Sequence, residues 1–301
     1  MILSVGDLQN GDFRARGANS EPPYFAVFGK PIAHSLSPVM QNAALAEIAK
    51  TDDDFRGSKY FAFEVAPENL ADALDALYEK NFCGINLTIP HKEVVMKIIR
   101  DFDPPAAKTG ACNTLLKTPR GWKGFNTDGF GLITAIETSL GRKVAGANVV
   151  IIGAGGAARA AAFALSAHGC VSLALVNRSA ERLEKLAADL RGAGYGCTTH
   201  RLGEVFDSPD APVIVNATSL GLKEGDGACV DFSMFPTDGV FFDMPYAKGR
   251  ITASVAAARE RGMRACDGLP MLAWQGAKSL SIWTGKPLLG ELMLQTLRDA
   301  Q

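Results

Sequence analysis

Four short polar segments stand where strands would run into loops, and their residue types could bind and protonate a small acid. Gly84-Ile85-Asn86-Leu87-Thr88-Ile89-Pro90-His91-Lys92 places an amide, a hydroxyl and an ammonium in sequence. Read alone, Lys92 is more simply a solvated charge, Thr88 a strand residue and Asn86 a group satisfied by a local backbone bond. His91 reads as a partly exposed loop residue outside the site. Gly29-Lys30-Pro31-Ile32-Ala33-His34-Ser35-Leu36-Ser37-Pro38 sets two hydroxyls before a helix, where hydroxyls and helix-end amides can hold a carboxylate. The plainer reading makes Ser37 an N-cap followed by proline at the first helical position, with Ser35 steadying the turn. Asn113, within Thr109-Gly110-Ala111-Cys112-Asn113-Thr114, also reads as a turn residue. Asp128, within Gly124-Phe125-Asn126-Thr127-Asp128-Gly129, also reads as the acid of a helix N-terminus.

A fifth segment has a different chemistry. Gly153-Ala154-Gly155-Gly156-Ala157-Ala158-Arg159-Ala160 follows the apolar run Asn148–Ile152 and opens an alanine-rich helix. Gly153 permits a tight turn, Gly155 lets backbone amides approach a pyrophosphate, and Ala158 allows close helix packing. The next strand ends in Asn177-Arg178-Ser179, with Arg182 one turn further. Arginines there suit a 2′-phosphate and hence NADP, although both also read as surface charges. Glu181 keeps NAD open. Towards the end come Asn216-Ala217-Thr218-Ser219, Asp243-Met244-Pro245-Tyr246 and Gly268-Leu269-Pro270-Met271-Leu272-Ala273-Trp274-Gln275. Tyr246 and Gln275 could equally be buried polar groups with structural partners.

The elements that must position these residues alternate along the chain. Strands are expected at Tyr24–Phe28, Lys59–Val65, Gly84–Ile89, Asn148–Ile152, Ser172–Val176, Pro212–Val215 and Val240–Phe242. Helical spacing follows Pro38 and Pro67, recurs near Asp128, Gly156 and Ser179, and closes the chain at about Met271–Trp283 and Pro287–Leu297. This alternation predicts an α/β fold with largely parallel sheets. With 301 residues, 47% hydrophobic and 21% charged, the chain can build two cored domains without staples. Its 31 basic and 32 acidic residues give a net charge of -1, which offers no broad field for nucleic acid or anionic membrane. No apolar run reaches the ~18 residues of a membrane helix, and no secretory signal is evident, so a cytoplasmic setting is expected. The six cysteines lack a CxxC pair and read as buried reduced thiols, and the four histidines lack ligand spacing, so no metal site is expected.

Taken together, PIAHSLSP, the Asn-x-Thr-x-Pro-x-Lys pattern, ACNT, NTDG, GAGGAARA, NRS, NATS and the late GLPML…Q segment resemble the shikimate dehydrogenase family. The resemblance runs from about Tyr24 to the final helices. It implies an N-terminal α/β substrate domain and a Rossmann-like dinucleotide-binding domain with a cleft between them. Residues 21–126 and 268–301 would form the first and 127–267 the second, after a loose tail at 1–20. It implies NADPH-dependent reduction of 3-dehydroshikimate to shikimate, a step of aromatic amino-acid biosynthesis, and leaves a homodimer open.

Carried over by motif, Ser35 and Ser37 would bind the substrate carboxylate with Tyr246 nearby. Thr88, Asn113 and Gln275 would bind the ring hydroxyls, and Lys92 and Asp128 would form the catalytic pair. Gly153, Ala154, Gly155, Gly156 and Ala157 would hold the pyrophosphate. Asn177, Arg178, Ser179 and Arg182 would hold the adenosine end, and Met244 and Gly268 the nicotinamide side. Pro245 departs from the family's pattern, since it fixes φ and removes an amide donor beside Tyr246. A ketone gaining a hydride builds negative charge on its oxygen, which a lysine ammonium can stabilise and protonate. Lys92 is therefore expected as the general acid of reduction, oriented by Asp128. Two other readings stay open: an NAD-preferring quinate/shikimate dehydrogenase, and a non-catalytic nucleotide-binding regulator on the same scaffold.

Overall fold

Tyr24–Gly29 is apolar apart from its ends and buried along nearly its whole length, so it takes a central place in a sheet covered on both faces. The computed structural model describes residues 2–4, 22–204 and 207–301. Ile2–Ser4 is not loose: it forms a strand paired in parallel with Lys59–Glu64. The rest of the expected tail lies outside the described residues. The chain divides into two units, Met1–Thr127 with Ala273–Ala300, and Asp128–Leu272 with Gln301. The second division falls inside the helix Leu269–Thr284, some residues beyond the expected one at 268.

Among the described residues the first unit holds seven strands: β1 (Ile2–Ser4), β2 (Tyr24–Gly29), β3 (Lys59–Glu64), β4 (Phe82–Leu87), β5 (Asp101–Phe102), β6 (Thr114–Thr118) and β7 (Gly121–Phe125). Their spatial order is β1-β3-β2-β4-β6-β7-β5. The first four run parallel, whereas β6 is antiparallel to both β4 and β7. That hairpin goes beyond the expected strands. Its turn is fixed by Thr118, whose Oγ1 donates to the Gly121 carbonyl at 2.7 Å and accepts from Arg120 N at 3.2 Å.

One face of this sheet packs Phe28, Phe63, Phe82, Leu70, Leu74, Leu77 and Trp122 into a core. Trp283, from the helix Leu269–Thr284, stacks on Phe25 with ring centroids 5.2 Å apart and donates through Nε1 to the Leu115 carbonyl at 2.8 Å. Among the described residues up to 127, the α-helices of this unit are α1 (Ser37–Ile48), α2 (Leu70–Tyr78), α3 (His91–Val94) and α4 (Pro104–Thr109).

The second unit begins with α5 (Asp128–Leu140) and contains β8 (Asn148–Ile152), α6 (Gly156–Ala167), β9 (Ser172–Asn177), α7 (Ala180–Gly192) and β10 (Thr198–Arg201). It continues with β11 (Val213–Asn216), β12 (Val240–Asp243), α8 (Ala253–Glu260) and β13 (Arg264–Cys266). All pairings are parallel and the order is β10-β9-β8-β11-β12-β13. Counted within this unit the order is 3-2-1-4-5-6, the doubly wound arrangement whose switch point lies between the first and fourth strands. Here that point falls between β8 and β11. The last two helices are α9 (Leu269–Thr284) and α10 (Gly290–Asp299), and α10 packs on α1.

Candidate active site

In the first unit, the predicted side chains gather where the parallel strands β2 and β4 end. The two strand exits are joined by Lys30 N donating to the Ile89 carbonyl at 3.1 Å and Thr88 N to the Phe28 carbonyl at 2.9 Å. Gly29 allows this approach, because a Cβ there would lie 2.5 Å from Thr88 Cγ2. Ser35 and Ser37 follow β2, both half-buried. The cap expectation for Ser37 is corrected: α1 already starts at Ser37, its N-cap position is Leu36, and no side chain caps it. With Pro38 lacking an N–H, the local hydrogen bond runs from Ser37 N to Ser35 Oγ at 3.3 Å.

Thr88 and Lys92 follow β4, both half-buried, with Lys92 on the short helix α3. His91 differs from expectation. It is fully buried, with Nε2 2.9 Å from the Val65 carbonyl, so its ring fastens α3 to the exit of β3. Burial holds its pKa below the ordinary value against the opposing pull of that carbonyl. The backbone of Lys92 is fixed as well, its carbonyl accepting from Cys112 N at 2.8 Å. Burial pushes the Cys112 thiol up to about 12, which makes it inert as a nucleophile. Among the described residues the six cysteines form no disulfide; Cys112 and Cys229 are buried, while Cys83, Cys170, Cys197 and Cys266 are only partly so.

Asn113 is the hub of the site. Its backbone lies between Leu87 and Phe125, accepting at 2.9 Å and donating at 3.0 Å. Its Oδ1 accepts from Thr127 N and Thr114 Oγ1, each at 2.9 Å. Its Nδ2 donates to Thr127 Oγ1 at 2.9 Å and to Gln275 Oε1 at 3.3 Å. The structure therefore brings Asn113 and Gln275 together, and places them on the same strand exit as Thr88. Behind them lies a buried layer that the sequence reading missed. Tyr60 Oη donates to Asn86 Oδ1 at 2.8 Å, and Asn86 Nδ2 reaches Thr114 Oγ1 at 3.1 Å and Ser279 Oγ at 3.0 Å. Asn86 thus makes long-range bonds, against the expected local one. A signal was present: an amide in the middle of the apolar strand Phe82–Leu87 must find partners once buried.

In the second unit, Asp128 is half-buried and opens α5, directly after the anchored Thr127. Gly153 leaves β8 with φ +122°, a left-handed geometry, and a Cβ there would lie 3.0 Å from the Ala217 carbonyl. Ala154 is half-buried, and Gly155, Gly156 and Ala157 are exposed at the start of α6. Nothing lies within 4 Å of a Cβ built on Gly155. A turn of this kind, open in front of a helix N-terminus at the switch point, fits a pyrophosphate.

At the end of β9, Ser179 caps α7 by accepting from Arg182 N at 3.3 Å, and Asn177 Nδ2 donates to the Ser179 carbonyl at 3.3 Å. These two shape the loop and leave the Arg178 and Arg182 side chains exposed. Met244 continues β12, its N donating to the Asn216 carbonyl at 3.0 Å, and Gly268 N donates to the Pro245 carbonyl at 3.1 Å. Tyr246 belongs to this unit, whereas Ser35 and Ser37 belong to the first. Burial, assisted by the Asp267 charge, raises the Tyr246 phenol and keeps it a neutral hydroxyl.

Beneath this edge, Asp243 is fully buried and accepts from Asn216 Nδ2 at 2.7 Å and Thr252 Oγ1 at 2.5 Å. Burial pushes its carboxyl up to about 6 even so. Asn216 Oδ1 in turn accepts from Thr218 N at 3.0 Å and Thr218 Oγ1 at 2.7 Å, which sets the loop facing Gly153. Among the described residues, no group of three or more His, Cys, Asp or Glu side chains converges as metal ligands, and no helix is long and apolar enough to cross a membrane.

Comparison with known proteins accounts for most of the chain. The family model described as shikimate dehydrogenase substrate-binding domain matches residues 27–115, that for shikimate/quinate 5-dehydrogenase matches 135–220, and that for the shikimate 5′-dehydrogenase C-terminal domain matches 268–298. The shikimate dehydrogenase (NADP(+)) of Moorella thermoacetica is 40% identical over 284 residues, covering 91% of this chain and 92% of that protein. The shikimate 5-dehydrogenase of Thermus thermophilus, solved with NADP(H) and shikimate, aligns with a TM-score of 0.80 at 33% identity, over 93% of this chain and 100% of the other. The ligand-free 5-ketofructose reductase of Gluconobacter sp. strain CHM43 aligns with a TM-score of 0.84 at 29% identity, over 94% and 100%.

Proposed function

This chain belongs to the shikimate dehydrogenase family, and from that premise we propose that it reduces 3-dehydroshikimate to shikimate reversibly with NADP(H). The observation that carries the reading is the contact between Asn113 and Gln275, 162 positions apart, at the strand exit that also bears Thr88 and leads into Lys92. Two side-chain amides held edge to edge suit a ligand rich in hydroxyls, since each presents both a donor and an acceptor.

The residues divide the work by chemistry. Ser35 and Ser37 hold the substrate carboxylate at the start of α1, with Tyr246 contributing its hydroxyl, and Thr88, Asn113 and Gln275 grip the ring hydroxyls. Gly153, Ala154, Gly155, Gly156 and Ala157 receive the pyrophosphate of NADPH. Arg178 and Arg182 receive its 2′-phosphate, with Asn177 and Ser179 shaping their loop, and Met244 and Gly268 line the nicotinamide side. When bound, NADPH supplies a hydride to the ketone carbon. The protein's own task is the charge that develops on the carbonyl oxygen. The Lys92 ammonium stabilises that oxyanion and passes it a proton from Nζ, while the Asp128 carboxylate orients the ammonium. In the oxidative direction the same lysine takes the proton back.

The test is spectrophotometric. Purified protein is assayed with 3-dehydroshikimate and NADPH or NADH, and in reverse with shikimate or quinate. Turnover of shikimate with a marked NADP preference is expected; turnover confined to quinate and NAD, or none at all, overturns the reading. A cytoplasmic setting and a homodimer belong to the same reading, and sedimentation velocity tests the dimer.

A further inference from the structure

Helix α9 delivers a second polar side chain to the buried layer behind Asn113. Ser279 follows Gln275 by one turn and is fully buried, although Ala273, Ala277 and Leu280 around it are apolar. Its hydroxyl meets four groups: Thr114 Oγ1 at 2.7 Å, Asn86 Nδ2 at 3.0 Å, the Gln275 carbonyl at 3.0 Å and Thr127 Oγ1 at 3.2 Å. Packing alone would favour an apolar residue here, because burying a hydroxyl costs free energy unless it is well bonded. Every side-chain partner of this hydroxyl belongs to the layer that holds Asn113.

Hydrogen-bond accounting gives Ser279 its role. A hydroxyl has one proton and two acceptor lone pairs. Asn86 Nδ2 has only protons to give, so Ser279 accepts from it, and its own proton goes to Thr114 Oγ1 or the Gln275 carbonyl. Thr114 Oγ1 also takes a bond from Asn86 Nδ2 at 3.1 Å, and its proton goes to Asn113 Oδ1 at 2.9 Å. With Thr127 N also donating to that oxygen at 2.9 Å, the Asn113 amide can point only one way, oxygen inward and NH2 towards Gln275. A flipped amide would set donor against donor.

We propose that Ser279 is a positioning residue for hydroxyl recognition: acting through Thr114 and Asn86, it tightens the hold on the Asn113 amide and on the Gln275 amide it touches, and so sharpens selectivity for a polyhydroxylated ring. The inference rests on the function proposed above. Remove the hydroxyl, and Thr114 and Asn86 lose a shared partner; Thr127 N still keeps the Asn113 oxygen inward, but the Thr114 bond to that oxygen loosens, and with it the placement of the Asn113 NH2 against Gln275.

The experiment compares wild type, Ser279→Ala, Ser279→Cys, Gln275→Ala and the Ser279→Ala/Gln275→Ala double variant, with KM, kcat and melting temperature measured for each. Ser279→Ala is expected to raise KM for shikimate roughly three- to tenfold, as for one weakened hydrogen bond, while KM for NADP stays put. Ser279→Cys, of similar size, falls between Ser279→Ala and wild type, and carries the comparison if the alanine variant folds poorly. In the double variant the two losses do not multiply, because both act on one amide pair. An unchanged shikimate KM in the serine variants overturns the inference, as do multiplying losses or equal effects on both substrates. An active wild type with an indifferent Ser279 overturns this inference alone, whereas an inactive wild type overturns the proposed activity and this inference with it.

Discussion

The Asn216 side-chain amide donates to Asp243 Oδ1 at 2.7 Å, joining two residues that sit opposite each other at the ends of the parallel strands β11 and β12. Because Asn216 also organises Thr218, and the adjacent Ala217 carbonyl faces Gly153, this bond reaches the glycine turn that leaves β8. The acid that anchors it is costly to ionise, since burial lifts its pKa to about 6 from an ordinary 3.8.

A pH dependence follows. The folded chain holds the Asp243 proton more tightly than the unfolded chain, so this group's contribution to stability is complete below about pH 3.8 and is lost as pH rises through about 6. The loss amounts to about 3 kcal/mol, the free-energy equivalent of that rise in pKa. Asp243→Asn removes the titration. Urea unfolding at pH 4 and pH 7 should therefore show the variant gaining on wild type at the higher pH, by an amount of that order. Parallel pH profiles would show that Asp243 does not titrate there.

Lys92→Ala should lower kcat by at least about a hundredfold while KM for shikimate moves little, since the ammonium's largest interaction develops with the oxyanion. Its melting temperature should stay near wild type, because α3 is fastened by the His91 ring and by backbone bonds. Steady-state kinetics beside a thermal melt decide the matter, and a near-normal kcat removes Lys92 from the chemistry.

Ser35→Ala and Ser37→Ala should each raise KM for shikimate, roughly three- to tenfold, with kcat less affected. The structure separates the two. Ser35 Oγ accepts a backbone bond, so its loss should also lower the melting temperature, whereas Ser37 caps nothing and its loss should leave the melt unchanged. Unaltered KM values in both variants would confine the serines to the turn.

Arg178→Ala combined with Arg182→Ala should raise KM for NADPH by about tenfold or more and leave that for NADH nearly unchanged, because only the 2′-phosphate needs both cations. Both arginines are exposed, so rising salt should weaken NADPH binding in wild type and do so less in the variant. Equal losses for the two cofactors would place the arginines elsewhere in recognition.

Local signals were the legible ones. The apolar runs of β8 and β9, the glycine turn between them and the proline that starts α1 are each written within a few neighbouring residues. What failed to read through depends on partners far along the chain. His91 looked partly exposed because nothing nearby announces the Val65 carbonyl that makes its burial tolerable. Asn86 looked local because its partner Ser279 is 193 positions away. The fold explains that distance, since Thr114 faces Asn86 across an antiparallel pair and α9 then closes over both.

Helix α9 also dictates an order of assembly during synthesis. By the time residue 127 has been made, every strand of the first sheet exists, yet Trp283 and Ser279 have not been translated. The indole that stacks on Phe25 and the hydroxyl that bridges Asn86 and Thr114 both arrive about 150 residues later. The intervening 128–272 unit has its whole six-stranded sheet before then and can close on itself first. The segment translated first therefore finishes last. While it waits on the ribosome, the uncovered Phe25 face, and beside it an Asn86 still short of its Ser279 bond, are what a nascent-chain chaperone would meet.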